Sequence, residues 1–166
     1  MKKIFTILLL IPILIFGQNE LTKNIDLTKN NIYAEGHVGL FTKFALNYER
    51  QISSGEKVSW YGRLGGGWGA DFSYGIFAET SAWGGLGTIT MLTGKKNSHF
   101  ELNAGAFFSP KGEVSLGFAM GDSNTDGVFI FPIFNIGYRY QKPSGGFIFR
   151  ANVGALSTGL SLGYAF

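Results

Sequence analysis

The chain has 166 residues, of which 45% are hydrophobic, 16% aromatic and 15% charged, with 25 glycines and no cysteine. Soluble domains average about 25% charged residues and about 7% glycine, so charge is scarce here and glycine doubled; the aromatic content argues against disorder, and the lack of cysteine excludes a disulfide framework, a thiolate zinc site and a cysteine nucleophile. The formal charge of +3 includes Lys2 and Lys3; without them 12 basic residues face 11 acidic ones, which leaves no nucleic-acid footprint.

Residues 1–17 read as a secretory signal peptide. Met1-Lys2-Lys3 is cationic, Ile4–Phe16 is apolar apart from Thr6, and Gly17 precedes the polar Gln18-Asn19-Glu20. The apolar run is too short for the roughly 20 residues of a spanning helix. Residues 18–31 are polar and without period, and predict a short periplasmic tail.

From residue 32 to 166 the pattern is period-2 alternation in segments split by Gly, Ser, Asn and Pro, which predicts strands and hairpins. The segments fall at 31–40, 44–52, 57–68, 82–93, 99–108, 128–141, 147–156 and 159–166. In the first, Ile32, Ala34 and Val38 oppose Tyr33, Glu35 and His37. In the second, Phe44, Leu46 and Tyr48 oppose Ala45, Asn47 and Glu49. In the third, Val58, Trp60 and Leu64 oppose Tyr61, Arg63 and Gly65. The fourth has no clean separation of faces. In the fifth, Phe100, Leu102, Ala104 and Ala106 oppose Glu101, Asn103 and Gly105. In the sixth, Phe134, Ile136, Tyr138 and Tyr140 oppose Asn135, Gly137, Arg139 and Gln141, with Pro132 tolerable only near a rim. In the seventh, Phe147, Phe149, Ala151 and Val153 oppose Arg150, Asn152 and Gly154. In the last, Leu160, Leu162, Tyr164 and Phe166 oppose Gly159, Ser161, Gly163 and Ala165.

One face is large and apolar. The other is small, with Glu35, Glu49 and Glu101 balanced by Arg63, Arg139 and Arg150. A solvated face would carry Lys and Glu throughout; this one suits a narrow lumen in which every buried charge has a partner. The apolar face suits lipid, and tight turns alternate with longer connections as in outer-membrane barrels. The predicted fold is all-β: an eight-stranded antiparallel transmembrane β-barrel, its interior filled by side chains and not an open pore. Arg50, on the apolar side by parity, is expected at the periplasmic rim, where it can snorkel.

The closing Gly159-Leu-Ser-Leu-Gly-Tyr-Ala-Phe166 resembles the C-terminal insertion signal of bacterial outer-membrane barrels, carried by Leu160, Leu162, Tyr164 and Phe166. Gly137-Tyr-Arg-Tyr-Gln141 with Gly145-Gly-Phe-Ile-Phe-Arg-Ala151, Asn47-Tyr-Glu-Arg50, and the Gly94-Lys-Lys96 turn leading into Phe100-Glu-Leu102 are similar to small outer-membrane barrels of Bacteroidota, as is the signal end Phe16-Gly-Gln18. That resemblance implies a Gram-negative outer membrane, contact with its lipid and with the barrel-assembly machinery, and no agreed activity.

Among candidate sites, Gly65–Gly69 and Gly84–Gly87 lack the following helix of a dinucleotide fingerprint and read as relief of barrel curvature and lumen crowding. His37 shares a face with Glu35, as a base and its orienter would, but no Ser adjoins it in sequence; His99 sits at the periplasmic end. Both read as lumen hydrogen-bonding residues. Asp122, Asn124 and Asp126 match half of a calcium loop, but Ile133 replaces its bidentate Glu, so a turn is the stronger reading. The expected function is a non-enzymatic outer-membrane barrel, without cofactor or metal, structural or binding a partner or membrane complex through the loops near 69–81 and 109–127. The rivals are a lipid A-modifying barrel enzyme and a soluble lipocalin-like carrier.

Overall fold

The structure, a computed structural model, describes residues 26–71, 80–109 and 129–166. The expected signal peptide, residues 18–25 of the expected tail, most of the two long loops, and Asp122, Asn124 and Asp126 lie outside the described residues.

Eight strands follow in chain order: β1 (Asn30–Gly39), β2 (Phe41–Ser54), β3 (Val58–Asp71), β4 (Thr80–Thr93), β5 (Ser98–Ser109), β6 (Phe129–Gln141), β7 (Gly146–Gly154) and β8 (Ser157–Ala165). Each pairs with its neighbour and β1 pairs with β8, closing the barrel. All eight pairings are antiparallel. The last residue completes the closure: Phe166 N donates to Asn30 O at 2.8 Å, and Asn30 N donates to Phe166 O at 3.0 Å. A closed sheet has no free edge.

The barrel has two different ends. At the turn end β2–β3, β4–β5 and β6–β7 connect through 55–57, 94–97 and 142–145. Gly94 (φ 81°) and Gly145 (φ 86°) take the left-handed conformations that these tight turns require. At the loop end, Leu40 and residues 155–156 are the short links, and the longer connections leave from β3 and β5.

Pleating sends alternate side chains in and out. Inside, Glu35, Glu49, Glu101, Arg63, Arg139 and Arg150 are buried; outside, Leu64 is 70% and Trp83 76% exposed. This is the reverse of a water-soluble protein. Pro132 also faces out. β7 ends at Gly154, opposite Asn135, so beyond that point β6 has no ladder on that side for a proline to break.

Three expectations need correction. First, β2 begins at Phe41, not at residue 44, because Phe41 pairs with Asp71 and its N–H donates to Leu156 O at 3.3 Å. That puts Lys43 into the lumen, 1% exposed, as a seventh interior charge among the described residues.

Second, the lumen is not uniformly small and polar. Phe41, Leu86, Phe107, Phe131 and Ile133 form an apolar cluster at the loop end, with Phe41 stacked on Phe131 at 4.0 Å. Leu86 and Leu92 also point inward from β4, which is why the faces of that strand do not separate in the sequence.

Third, the end of the supposed tail is a plug. Leu27, 2% exposed, packs with Tyr61 and Leu92 inside the turn end. Tyr61 OH donates to Thr28 O at 3.1 Å, Gln141 Nε2 to Thr28 Oγ1 at 3.0 Å, and Gln51 N to Lys29 O at 2.8 Å. Outside, Asp26 accepts from Ser54 and Lys95, and these two partners hold its carboxyl below the usual range. A polar segment can plug the mouth because its backbone groups find partners and Leu27 fills the gap.

Candidate functional site

The interior charges form a column along the barrel axis, capped by the plug at one end and the apolar cluster at the other. Near the plug, Arg139 of β6 bridges two carboxylates. Its Nε donates to Glu101 Oε2 at 2.6 Å, and its Nη1 and Nη2 reach Glu49 at 2.9 Å each. Nη1 also donates to Gln141 Oε1 at 3.2 Å, which ties the column to Thr28. Asn31 Nδ2 donates to Glu49 Oε2 at 3.3 Å.

Glu101 is the most heavily used carboxylate. Besides Arg139 it accepts from Arg150 Nε at 3.0 and 3.1 Å, from Arg150 Nη2, and from Asn103 Nδ2 at 2.5 Å. Thr90 Oγ1 donates to Asn103 Oδ1 at 2.6 Å. Two guanidiniums on one carboxylate repel each other, and the second carboxylate, Glu49, makes the arrangement tolerable.

Tyr33 joins the two halves of the column. Arg150 lies 4.3 Å and Arg63 5.4 Å from its ring centroid, within cation–π range. Arg63 then donates through Nε to Asn47 Oδ1 at 3.0 Å and through Nη2 to Glu35 Oε1. Lys43 Nζ donates to the same Glu35 oxygen at 2.8 Å.

The other Glu35 oxygen faces His37 Nε2 at 3.5 Å, and Ser157 Oγ lies 3.4 Å from His37 Nδ1. So the structure brings a Ser to the His–carboxylate pair after all, from the start of β8 across the β1–β8 seam, where sequence adjacency gave no signal. Both separations exceed a normal hydrogen bond, and Glu35 already carries two cations. His99, at the turn end, is held between Thr93 O at 2.9 Å and Gln141 O at 3.2 Å.

The structure thus places all six candidate charges inside and adds Lys43. Among the described residues, with both His neutral, the interior holds four cations to three carboxylates, not a balanced set. Lys43 was detectable: it shares the parity of Ala45, Asn47 and Glu49. The arrangement locks strands together across the lumen. Leu160, Leu162, Tyr164 and Phe166 lie on the outer face, each 56–58% exposed.

Fold and interior together define an eight-stranded antiparallel barrel with a charged, packed core and an apolar exterior. No family model and no curated protein matches the chain. Among solved structures, the N-terminal β-barrel domain of Pseudomonas aeruginosa OprF is similar at a TM-score of 0.46 and 13% identity, over 84% of this chain and 98% of that one.

Proposed function

We propose that the chain is a closed, non-conducting, non-enzymatic β-barrel of a Gram-negative outer membrane, structural or presenting its long connections to a partner. The observation that carries this reading is the exposed apolar belt. Every strand contributes to it: Ile32 and Val38, Phe44 and Leu46, Trp60 and Leu64, Trp83 and Ile89, Phe100 and Phe108, Phe134 and Ile136, Phe147 and Val153, Leu160 and Leu162. In water such a surface would aggregate; against lipid it is the favoured face. Tyr48, Trp60, Tyr138 and Tyr164 cluster toward the turn end, where an aromatic girdle sits at the headgroup level. On this reading the turn end faces the periplasm, Arg50 lies at that rim, and Leu160, Leu162, Tyr164 and Phe166 serve as the insertion signal for the assembly machinery. The likeness to small Bacteroidota barrels belongs to the same reading.

The test is fractionation together with unboiled and boiled gel mobility. Membrane recovery and a band that shifts only on boiling are expected, because a closed ladder resists detergent. Recovery from the soluble periplasm would overturn the reading in favour of a soluble carrier.

A second reading, a lipid-modifying enzyme, is favoured by one observation, the Ser157–His37–Glu35 row at the loop end. Its test is labelling by a fluorophosphonate. Modification of wild type but not of Ser157→Ala supports it; an unlabelled protein removes it.

A further inference from the structure

We propose that the outer face between β2 and β5 carries a binding site for one anionic phospholipid, with its phosphate on Arg50 and an acyl chain in the adjoining groove. The inference rests on the membrane reading above. The groove has a volume of about 700 Å³ and runs over Gly62, Gly87 and Ala104 between walls that include Ile52, Leu64 and Ile89.

The glycines of this barrel fall into two kinds. Inward ones are required by packing: a Cβ at Gly67, Gly105 or Gly163 would overlap the backbone of the neighbouring strand. Three of the four outward ones on β3 and β4 are not; at the fourth, Gly62, an added Cβ would meet only the tip of the Ile52 side chain, at 3.0 Å. A Cβ at Gly66, Gly85 or Gly87 meets nothing nearer than 3.6 Å. Side chains would fit there, so the barrel does not need these positions empty. Of the outward glycines, Gly87 and Gly62 line the groove and keep its floor low in an otherwise bulky apolar belt. Relief of lumen crowding therefore accounts for one set of glycines in the Gly65–Gly69 and Gly84–Gly87 runs and leaves the other set unexplained.

Arg50 supplies the second half of the site. It projects from the outer face, opposite Asn30 on one side and Gly62 on the other, and it lines the groove. Among the described residues its guanidinium has no hydrogen-bond or ion-pair partner, while every interior guanidinium has at least one. Asn30, at the start of β1, accepts from the Tyr48 hydroxyl at 2.8 Å, which puts Arg50 at the level where the apolar belt turns polar. A guanidinium there meets phosphate, to which it can donate two parallel hydrogen bonds.

The surrounding charge has the matching sign. Among the described residues the exposed cations Lys29, Arg50, Lys57, Lys96 and Lys142 all stand at the turn end, against exposed Asp26 and Glu56. A polybasic rim attracts anionic headgroups, and the groove beside Arg50 turns that general attraction into a defined seat.

The test uses the full protein, purified in mild detergent and stripped of lipid. Native mass spectrometry follows addition of phosphatidylglycerol, phosphatidylcholine or inorganic phosphate. Wild type is expected to retain one phosphatidylglycerol, in preference to phosphatidylcholine and undisplaced by inorganic phosphate. Arg50→Gln should lower retention about tenfold, the loss of one charge-assisted contact. Gly87→Leu, which fills the trough and leaves Arg50 in place, should lower it comparably. Both variants should keep the heat-modifiable band, which separates lost binding from lost folding. Undiminished retention in either variant, equal retention of phosphatidylcholine, or displacement by phosphate alone would overturn the site while leaving the membrane reading intact. Failure of that reading would show instead as wild-type protein in the soluble fraction.

Discussion

Arg139→Met is the most informative single perturbation, because the partners of Arg139 would be left in unequal positions. Glu101 would keep Arg150 and Asn103. Glu49 would keep only the 3.3 Å bond from Asn31 and would be a carboxylate of 0% exposure without a paired cation. Stranding one member of a buried pair costs about 3–5 kcal/mol, against a total stability of about 5–15 kcal/mol for a typical domain. Removing the stranded charge as well should recover most of this loss. Arg139→Met with Glu49→Gln should therefore be more stable than Arg139→Met alone by about 2 kcal/mol or more. Arg139→Met with Glu101→Gln should show no such recovery, since it leaves Glu49 stranded and takes the carboxylate from Arg150. Urea unfolding in lipid vesicles, followed by the fluorescence of Trp60, Trp68 and Trp83, measures both cycles. A coupling below about 0.5 kcal/mol with Glu49, or a larger recovery with Glu101 than with Glu49, would refute the assignment of partners.

The other expectations follow from packing. Gly163→Ala should abolish or severely reduce the folded band, because the added methyl meets Ile32 O and Tyr33, whereas Gly85→Ala should change stability by no more than about 0.5 kcal/mol. Leu27→Asp should expel the plug, detectable as new protease cleavage near Lys29 with the barrel still heat-modifiable; unchanged protection would show that Leu27 does not anchor the segment. Deleting Phe166 should lower the assembled fraction in membranes, since its backbone makes two of the bonds that close β1 against the chain end; equal assembly would remove that role. In planar bilayers the wild-type protein should give no stable conductance steps, because Arg139, Arg150 and Tyr33 fill the lumen; regular large steps would contradict a packed interior.

Much of the fold is legible from local pattern. Period-2 alternation and turn residues mark the eight strands, and parity alone sets Glu35, Glu49, Glu101, Arg63, Arg139 and Arg150 opposite the apolar set. Side-chain alternation is a property of each strand by itself, so the sequence of one segment suffices to read it. Where parity was lost, an interior position was apolar: Leu86 and Leu92 in β4 cap the charged column from within, and no local rule distinguishes them from residues facing lipid.

What only the tertiary structure decided is non-local. The stagger of strands around the barrel sets which carboxylate meets which guanidinium, so Arg139 bridges Glu49 and Glu101 across 90 and 38 residues of chain. Closure of β8 on β1 brings Ser157 to His37 across 120 residues. The mouth left open at the turn end draws in Leu27, which in sequence is one of three apolar residues in the polar stretch 18–31. The two kinds of glycine read alike in a string of letters. They part only once neighbouring backbone occupies the space on one side of the sheet and leaves it empty on the other.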